Sequence, residues 1–300
     1  MDQLPAFKSK VPKIEGREQL TIESADKTIK SEKEKHPVNQ DTILVDAKHR
    51  AFGVFDGMGG HKAGETASQM ACDYVLAYLP KILNGTNVEQ AKAALLEIFI
   101  GADKAIYGAS MFGTDYQGMG TTSALLKFHI DAEEKEWKII VGIGDSRIYE
   151  INENGTLKQL TVDDDFLNQL NLSSTDKERI AKQIEDARSL QDLADDLTKT
   201  CFKRRNLIGK CLGLGNVIPS ISASPVEKGD RFLIISDGVH KSFSNQEFQN
   251  IFKEVLGQSA TPDNVVKNLI QRSLEKSREP EEKNFRAGPD DMSAVFIEVS

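Results

Sequence analysis

The sequence predicts an α+β fold with two largely antiparallel sheets covered by helices. Two observations carry this. Strand-like runs joined by turns alternate with pairs of long amphipathic helices, in the order strands, two helices, strands, a polar insertion, strands, two helices, strand. No regular strand–helix–strand alternation, fixed-period repeat or linker between two cores interrupts that order.

The elements follow from local pattern. Residues 1–18 read as a flexible arm, and 19–300 as a single domain with an insertion at about 163–208. Leu20-Thr-Ile22 alternates like an edge strand, while the Lys/Glu run at 27–35 reads as mobile chain. Apolar runs at 42–45 and 50–55, separated by a polar turn, predict a hairpin. From 61 to 83 the period changes: Ala67, Met70, Ala71, Tyr74, Val75 and Tyr78 recur at helical spacing. A second helix is predicted over 88–109, with Ala91, Ala94, Leu95, Ile98, Ala102 and Ile106 on one face and Asn87 as its cap. Strands return at 121–130, 137–143, 147–151 and 157–160, with Asn152-Glu-Asn-Gly155 as a hairpin turn. The insertion holds one predicted helix, near 176–188. Strands at 218–224 and 231–235, helices at 245–256 and 262–276, and a strand at 292–299 complete the chain.

Composition excludes several function classes. The 300 residues are 39% hydrophobic and 28% charged, a globular mixture long enough to bury a core. A net charge of -8 argues against a sequence-independent grip on nucleic acid or anionic lipid. No apolar run approaches the ~18 residues of a membrane helix, and the first residues, MDQLPAFKSK, lack the apolar stretch of a secretory signal. Three cysteines (Cys72, Cys201, Cys211) form no C-x-x-C, so a disulfide scaffold or thiolate zinc site is not expected. A cytoplasmic monomer is the expectation.

One chemical pattern recurs: an apolar strand runs into an aspartate followed by Gly or Ser. It occurs at Asp56-Gly57, Asp145-Ser146 and Asp237-Gly238, while Asp290-Asp291 and Asp41 precede other strands. Each alone is an ordinary turn former. Together, carboxylates at several strand ends can meet on one rim, where their repulsion calls for a cation. An all-oxygen set suits Mg²⁺ or Mn²⁺, and two such ions make a clamp for in-line attack on phosphorus. Asp56 is the expected bridge, with Gly57 leaving its carbonyl accessible.

Asn39-Gln-Asp41, Phe52-Gly-Val-Phe-Asp-Gly-Met-Gly-Gly-His61, Gly120-Thr-Thr122, Gly144-Asp-Ser-Arg147, Asp230-Arg-Phe-Leu-Ile-Ile-Ser-Asp-Gly238 and Pro289-Asp-Asp-Met-Ser-Ala-Val295 resemble the ordered motifs of the protein phosphatase 2C (PPM) family, in its bacterial-type branch. The resemblance implies a four-layer α/β/β/α sandwich and metal-dependent hydrolysis of phosphoserine and phosphothreonine by water attack. It also implies a phosphorylated protein substrate, a Ser/Thr kinase or its targets among them. By position, Asp56 and the Gly57 carbonyl would bind metal, with Asp237 and Asp290 completing the first ion, Asp41 serving the second and Asp145 a third. The insertion falls where the family carries its variable flap.

Departures from the pattern are specific. His36 stands where members carry an arginine that grips the substrate phosphate; it can donate a hydrogen bond but lacks the bidentate fork, and the competing reading is an exposed loop histidine. Gln40 replaces a glutamate of some members, and Met58 replaces a histidine, so no general acid is assigned; His61 reads as a helix-start residue. Lys241 stands where members with a third metal carry an aspartate, which predicts a weak or absent third ion and an ammonium near Asp145, against the plain reading of a solvated lysine. A dinucleotide loop fails for want of a third glycine, and no cysteine is followed by the arginine of C-x₅-R. The alternative function is a pseudophosphatase that binds phosphoprotein or a partner without turnover.

Overall fold

The computed structural model describes residues 20–31, 38–58, 63–112 and 114–300. An edge strand β1 (Ile22–Ile29) is followed by the hairpin β2 (Asp41–Asp46) and β3 (Ala51–Met58). Two helices, α1 (Ala63–Tyr78) and α2 (Val88–Ser110), come next. Then run β4 (Gly120–Thr121), β5 (Ser123–Ile130), β6 (Glu136–Ile143), β7 (Arg147–Ile151) and β8 (Leu157–Gln159). The insertion carries α3 (Phe166–Gln169), α4 (Ser174–Asp186) and α5 (Asp196–Lys203). The chain closes with β9 (Ser220–Pro225), β10 (Arg231–Ile235), α6 (Asp237–His240), α7 (Asn245–Gln258), α8 (Pro262–Ser277) and β11 (Met292–Val299).

The strands form two antiparallel sheets, ordered β1-β11-β10-β7-β8 and β2-β3-β5-β6-β9, with β4 pairing β3. Alternation along each strand builds the layers. Phe52, Val54, Ala124, Leu126, Phe128 and Ile140 of one sheet meet Ile148, Phe232, Ile234, Val295 and Ile297 of the other. On its outer face the first of these sheets turns Leu44, Ala51, Phe55, Leu125 and Val141 against Ala67, Ala71 and Val75 of α1 and Leu95, Ile98 and Phe99 of α2. The second sheet turns Tyr149, Leu233, Ile235 and Phe296 against Phe248 and Phe252 of α7 and Val266, Leu269 and Ile270 of α8. Four layers, α/β/β/α, result. Burial on both faces explains why the central strands read as continuous apolar runs.

Local signals worked where they were strong. Asn87 caps α2 in a capping box with Gln90, and five of the six residues on its predicted face are buried. Pro80 follows α1 within a single 3₁₀ turn, Leu79–Lys81, so the helix ends before residue 83. The turn between β7 and β8 is closed by the Gly155 N–H on the Asn152 carbonyl at 2.9 Å, with Gly155 at φ +78°.

Two expectations change. The strand at 20–22 starts at Ile22 and runs on to Ile29, through part of the Lys-rich stretch. Its two buried residues lie on opposite faces, Ile22 between the sheets and Ala25 against the helical layer, and its backbone pairs with β11 from Ile22↔Val299 to Ile29↔Met292. The insertion holds three helices, not one. They gather around Leu167, Ile180 and Cys201, and around Ala187, Leu193 and Phe202. Phe202 stacks on Phe285 with centroids 4.8 Å apart. The Arg286 guanidinium donates to the carbonyls of Glu185 at 3.3 Å and Ala187 at 3.2 Å, and also to that of Ile184, satisfying the end of α4. Among the described residues no helix is long and apolar enough to cross a membrane.

Phe128 is fully buried between Phe52 and Phe232, with edge contacts at 6.1 and 5.8 Å. Phe128→Ala is expected to destabilise the fold by about 3–5 kcal/mol in chemical denaturation. Lys127 is buried, and burial first, then Arg50, pulls its ammonium down from 10.5 to about 7, with Asp46 opposing. The unfolded chain therefore binds more protons between pH 7 and about 10, so stability rises with pH across that window. Lys127→Met should flatten this rise in pH-dependent melting; an unchanged profile would contradict the assignment.

Candidate metal centre

In antiparallel sheets alternate strand ends share a rim, and the singled-out aspartates lie at such ends. Asp41, the first residue of β2, pairs in register with Asp56, near the end of β3. Asp237 follows β10 after Ser236 and opens α6, Asp145 follows β6 after Gly144, and Asp290 leads into β11. The rim is therefore assembled by strand register, from segments far apart in the chain.

Hydrogen bonds tie the two sheets together there. Ser236 Oγ donates to Asp41 Oδ2 at 2.7 Å, and the Ser293 N–H donates to Ser236 Oγ at 3.0 Å. The Asp291 carboxylate accepts from the N–H groups of Ser31 at 2.5 Å and Gln40 at 2.8 Å, pinning the chain before β2 to the start of β11. The Gly57 N–H donates to the Gln40 carbonyl at 3.1 Å. A Cβ at Gly57 would lie 2.1 Å from the Gly64 carbonyl oxygen and 2.6 Å from that of Gln40, so backbone contact leaves room for glycine alone.

Electrostatics mark the cluster. Burial pushes the Asp56 carboxyl well above its ordinary range, and the charges of Asp41, Asp237 and Asp145 add to this while the Lys241 ammonium opposes it. Burial likewise raises Asp145 strongly, reinforced by Asp237 and Asp163 and opposed by Lys241 and Arg147. Asp41 is raised to about 7 by burial, against hydrogen bonds from Ser236 and Ser293. Asp41 Oδ1 and Asp145 Oδ1 are buried without a hydrogen-bond partner. Carboxylate oxygens left in this state are costly unless protonated or bound by a cation. All-oxygen donors with orphaned lone pairs fit a hard divalent ion.

The structure thus brings Asp41, Asp56, Gly57, Asp145 and Asp237 to one rim, and Asp290 joins Asp237 through a shared partner. That partner is Lys241, whose ammonium pairs with Asp237 Oδ2 at 3.2 Å and with Asp290 Oδ2. As the sequence expectation had it, this ammonium lies near enough to Asp145 to act on its carboxyl, and its direct bonds go to the carboxylate one turn earlier in α6 and to the one leading into β11. Among the described residues no group of three or more His, Cys, Asp or Glu side chains is already gathered as a metal-holding set. His36 and His61 lie outside the described residues.

Sequence reasoning missed three neighbours. A cavity of about 230 Å³ between rim and insertion is lined by Asp145, Asp237 and Lys241, and also by Asp163, Arg205 and His240. Asp163 grips Arg147 through both carboxylate oxygens, at 2.6–3.1 Å. His240 is hydrogen-bonded to the Asp145 backbone, and burial, then Arg147, lowers its affinity for a proton well below the ordinary value, so it is neutral. Only proximity to the Ser236-Asp237-Gly238 motif could have flagged His240; the other two come from the insertion. A larger cleft of about 970 Å³, bordered by Tyr149, Glu185 and Lys276, contains none of the rim carboxylates.

Comparison with known proteins agrees with this geometry. The family model described as protein phosphatase 2C matches residues 30–276. The chain is similar to the serine/threonine protein phosphatase PstP of Mycobacterium tuberculosis, 31% identical over 208 residues, which are 69% of this chain and 35% of that protein. The match thus spans about a third of PstP's length. It is 29% identical over 235 residues to the serine/threonine phosphatase stp of Listeria monocytogenes, covering 74% of this chain and 84% of the relative. The catalytic domain of PstP, solved in complex with two manganese ions, superposes with a TM-score of 0.69 at 24% identity over 94% of this chain and 99% of that one. The family match runs over well more than half of the sequence, and the chain belongs to the protein phosphatase 2C family.

Proposed function

We propose that the chain is a protein serine/threonine phosphatase that hydrolyses phosphoserine and phosphothreonine with two Mn²⁺ or Mg²⁺ ions. The observation that carries this is the rim of buried, mutually repelling carboxylates, with orphaned oxygens on Asp41 and Asp145. The names of the mycobacterial and listerial relatives, and the manganese in the PstP structure, point the same way. Asp56, the Gly57 carbonyl, Asp237 and Asp290 are the proposed ligands of one ion, with Asp56 and Asp41 for the second and Asp145 for a third.

Such ions lower the pKa of water and neutralise charge on a phosphoryl group. The chain's own residues supply the frame. Ser236 fixes the rotamer of Asp41, and the register of β2 and β3 sets it beside Asp56. Neutral His240 holds the Asp145 backbone, and the bidentate Asp163–Arg147 pair holds the start of β7 next to it. The insertion closes over the cavity, which limits water and strengthens each polar interaction within it. His36, outside the described residues, remains the proposed phosphate contact. A phosphorylated protein, a Ser/Thr kinase or its targets, is the proposed substrate, and the cytoplasm the proposed compartment, in keeping with three free cysteines.

The ion pairs of Lys241 with Asp237 and Asp290 are the observation that favours a pseudophosphatase. The crowded Asp41, Asp56 and Asp145 count against it, because a site that holds no metal has no electrostatic reason to keep them. Hydrolysis of a phosphothreonine peptide separates the readings. Turnover is expected with Mn²⁺ and none with EDTA. Asp56→Asn should lower turnover by at least a thousandfold, roughly 4 kcal/mol in the barrier, while circular dichroism stays native. Activity at the wild-type level in Asp56→Asn would refute the site assignment.

A further inference from the structure

Lys241 is the part of the rim that the proposed chemistry leaves unused. Its backbone N–H closes α6 on the Asp237 carbonyl at 2.9 Å, so the two side chains lie one turn apart on the same helical face. Its ammonium reaches Asp237 Oδ1 and Oδ2 at 3.4 and 3.2 Å, and also pairs with Asp290 Oδ2. The side chain is only 8% exposed. Other cations lining the cavity are committed elsewhere. Arg147 is held by Asp163 and Tyr149, and Arg205 donates to the carbonyls of Phe202 and Arg286.

We propose that Lys241 is a tethered counter-ion of the acidic rim, which a divalent cation must displace from Asp237 and Asp290 before the site is loaded. This inference rests on the metal-dependent reading above and deepens it. An ammonium carries one charge and cannot share three or more carboxylates in a fixed geometry, whereas a divalent ion can. The ion therefore wins when it is abundant. Until then the ammonium satisfies two carboxylates that would otherwise repel. The cavity beside the rim is lined by Lys241 itself and by Asp145 and Asp165, and the ammonium already acts on the Asp145 carboxyl, so the released side chain meets an acidic wall.

The consequence is a lowered apparent metal affinity. If the competent form, with Lys241 withdrawn, is a minor fraction of the metal-free protein, the apparent dissociation constant rises by the inverse of that fraction. A site closed by ammonium nine-tenths of the time or more is weakened about tenfold or more. Loading then follows the supply of divalent ion over a higher range than the carboxylates alone would set.

The test is calorimetric titration of Mn²⁺ into chelator-stripped full-length protein, compared with Lys241→Met, Lys241→Gln and Lys241→Arg, alongside melting with and without Mn²⁺. The Met and Gln variants are expected to bind Mn²⁺ at least tenfold more tightly than wild type, to melt lower without metal, and to gain more from Mn²⁺. Lys241→Arg, which keeps the charge, should stay near wild-type affinity. Equal affinity in wild type, Met and Gln proteins, or weaker binding in the variants, would overturn the proposal while leaving the phosphatase reading intact. Equal tightening in the Arg variant would assign the effect to packing and overturn it too. If none of the four proteins binds Mn²⁺ at millimolar concentration, the proposal and the metal-dependent reading fall together. Should Met fail to fold without metal, the Gln variant decides.

Discussion

Repulsion among carboxylates is the constraint around which this molecule is built. Strand register places Asp41 beside Asp56, and strand ends bring Asp145 and Asp237 into the field of Asp56. Nothing in the packing of a four-layer sandwich asks for this. The apolar layers would close equally well over serine or asparagine at the same turns. Burying several acids in one place raises the energy of their charged forms by desolvation and by mutual repulsion. A fold keeps such an arrangement when a bound cation offsets it.

What makes the strain tolerable is that the rim is cross-braced by neutral and short-range contacts. Ser236 bridges Asp41 and the Ser293 backbone, so the two sheets are joined through a hydroxyl. Asp291 spends its charge on two backbone N–H groups and so is a structural anchor, whereas Asp290 accepts from the Asp291 N–H and pairs with Lys241. Adjacent aspartates thus divide the labour. One fixes the entry to β2, and the other meets Lys241. A sequence pattern of two acids in a row does not reveal which is which; the difference arises from the alternation of side chains as β11 begins.

Legibility followed the range of the interactions involved. The face of α2, its Asn87 cap and the apolar runs of β3, β5, β6 and β10 rest on contacts within a few residues or on simple periodicity, and each was readable. So were the strand-end aspartates, because an apolar run meeting Asp-Gly is a local event. The insertion was not. α3 and α5 are short, and what stabilises the region comes from far away: Phe285 against Phe202, and Arg286 on the last carbonyls of α4. The bond from Lys241 to Asp290 was not legible for the same reason. Asp290 lies just before β11, and the pairing of β10 with β11 brings it near. β1 ran further than expected because its buried residues, Ile22 and Ala25, lie three apart on opposite faces and give no period-two signal.

The insertion also changes the electrostatics of the rim it covers. Burial, then the like charge of Arg286, pulls the Arg205 guanidinium down to about 10, while Asp237 pushes the other way. At neutral pH it still carries its charge, and its Nε is buried without an acceptor. Desolvation therefore weakens this cation without neutralising it. The same cavity is lined by acids on the sheet rim and by a cation from the insertion. A dianionic ester and a divalent cation place opposite demands on one small space. Both origins supply both signs: the sandwich contributes Asp145, Asp237, Arg147 and Lys241, and the insertion contributes Asp163, Asp165 and Arg205. The rim is held by strand register, and the cover by stacking and helix-end contacts. The two are coupled where Asp163 of the insertion grips Arg147 beside Asp145, so the cover also braces the rim.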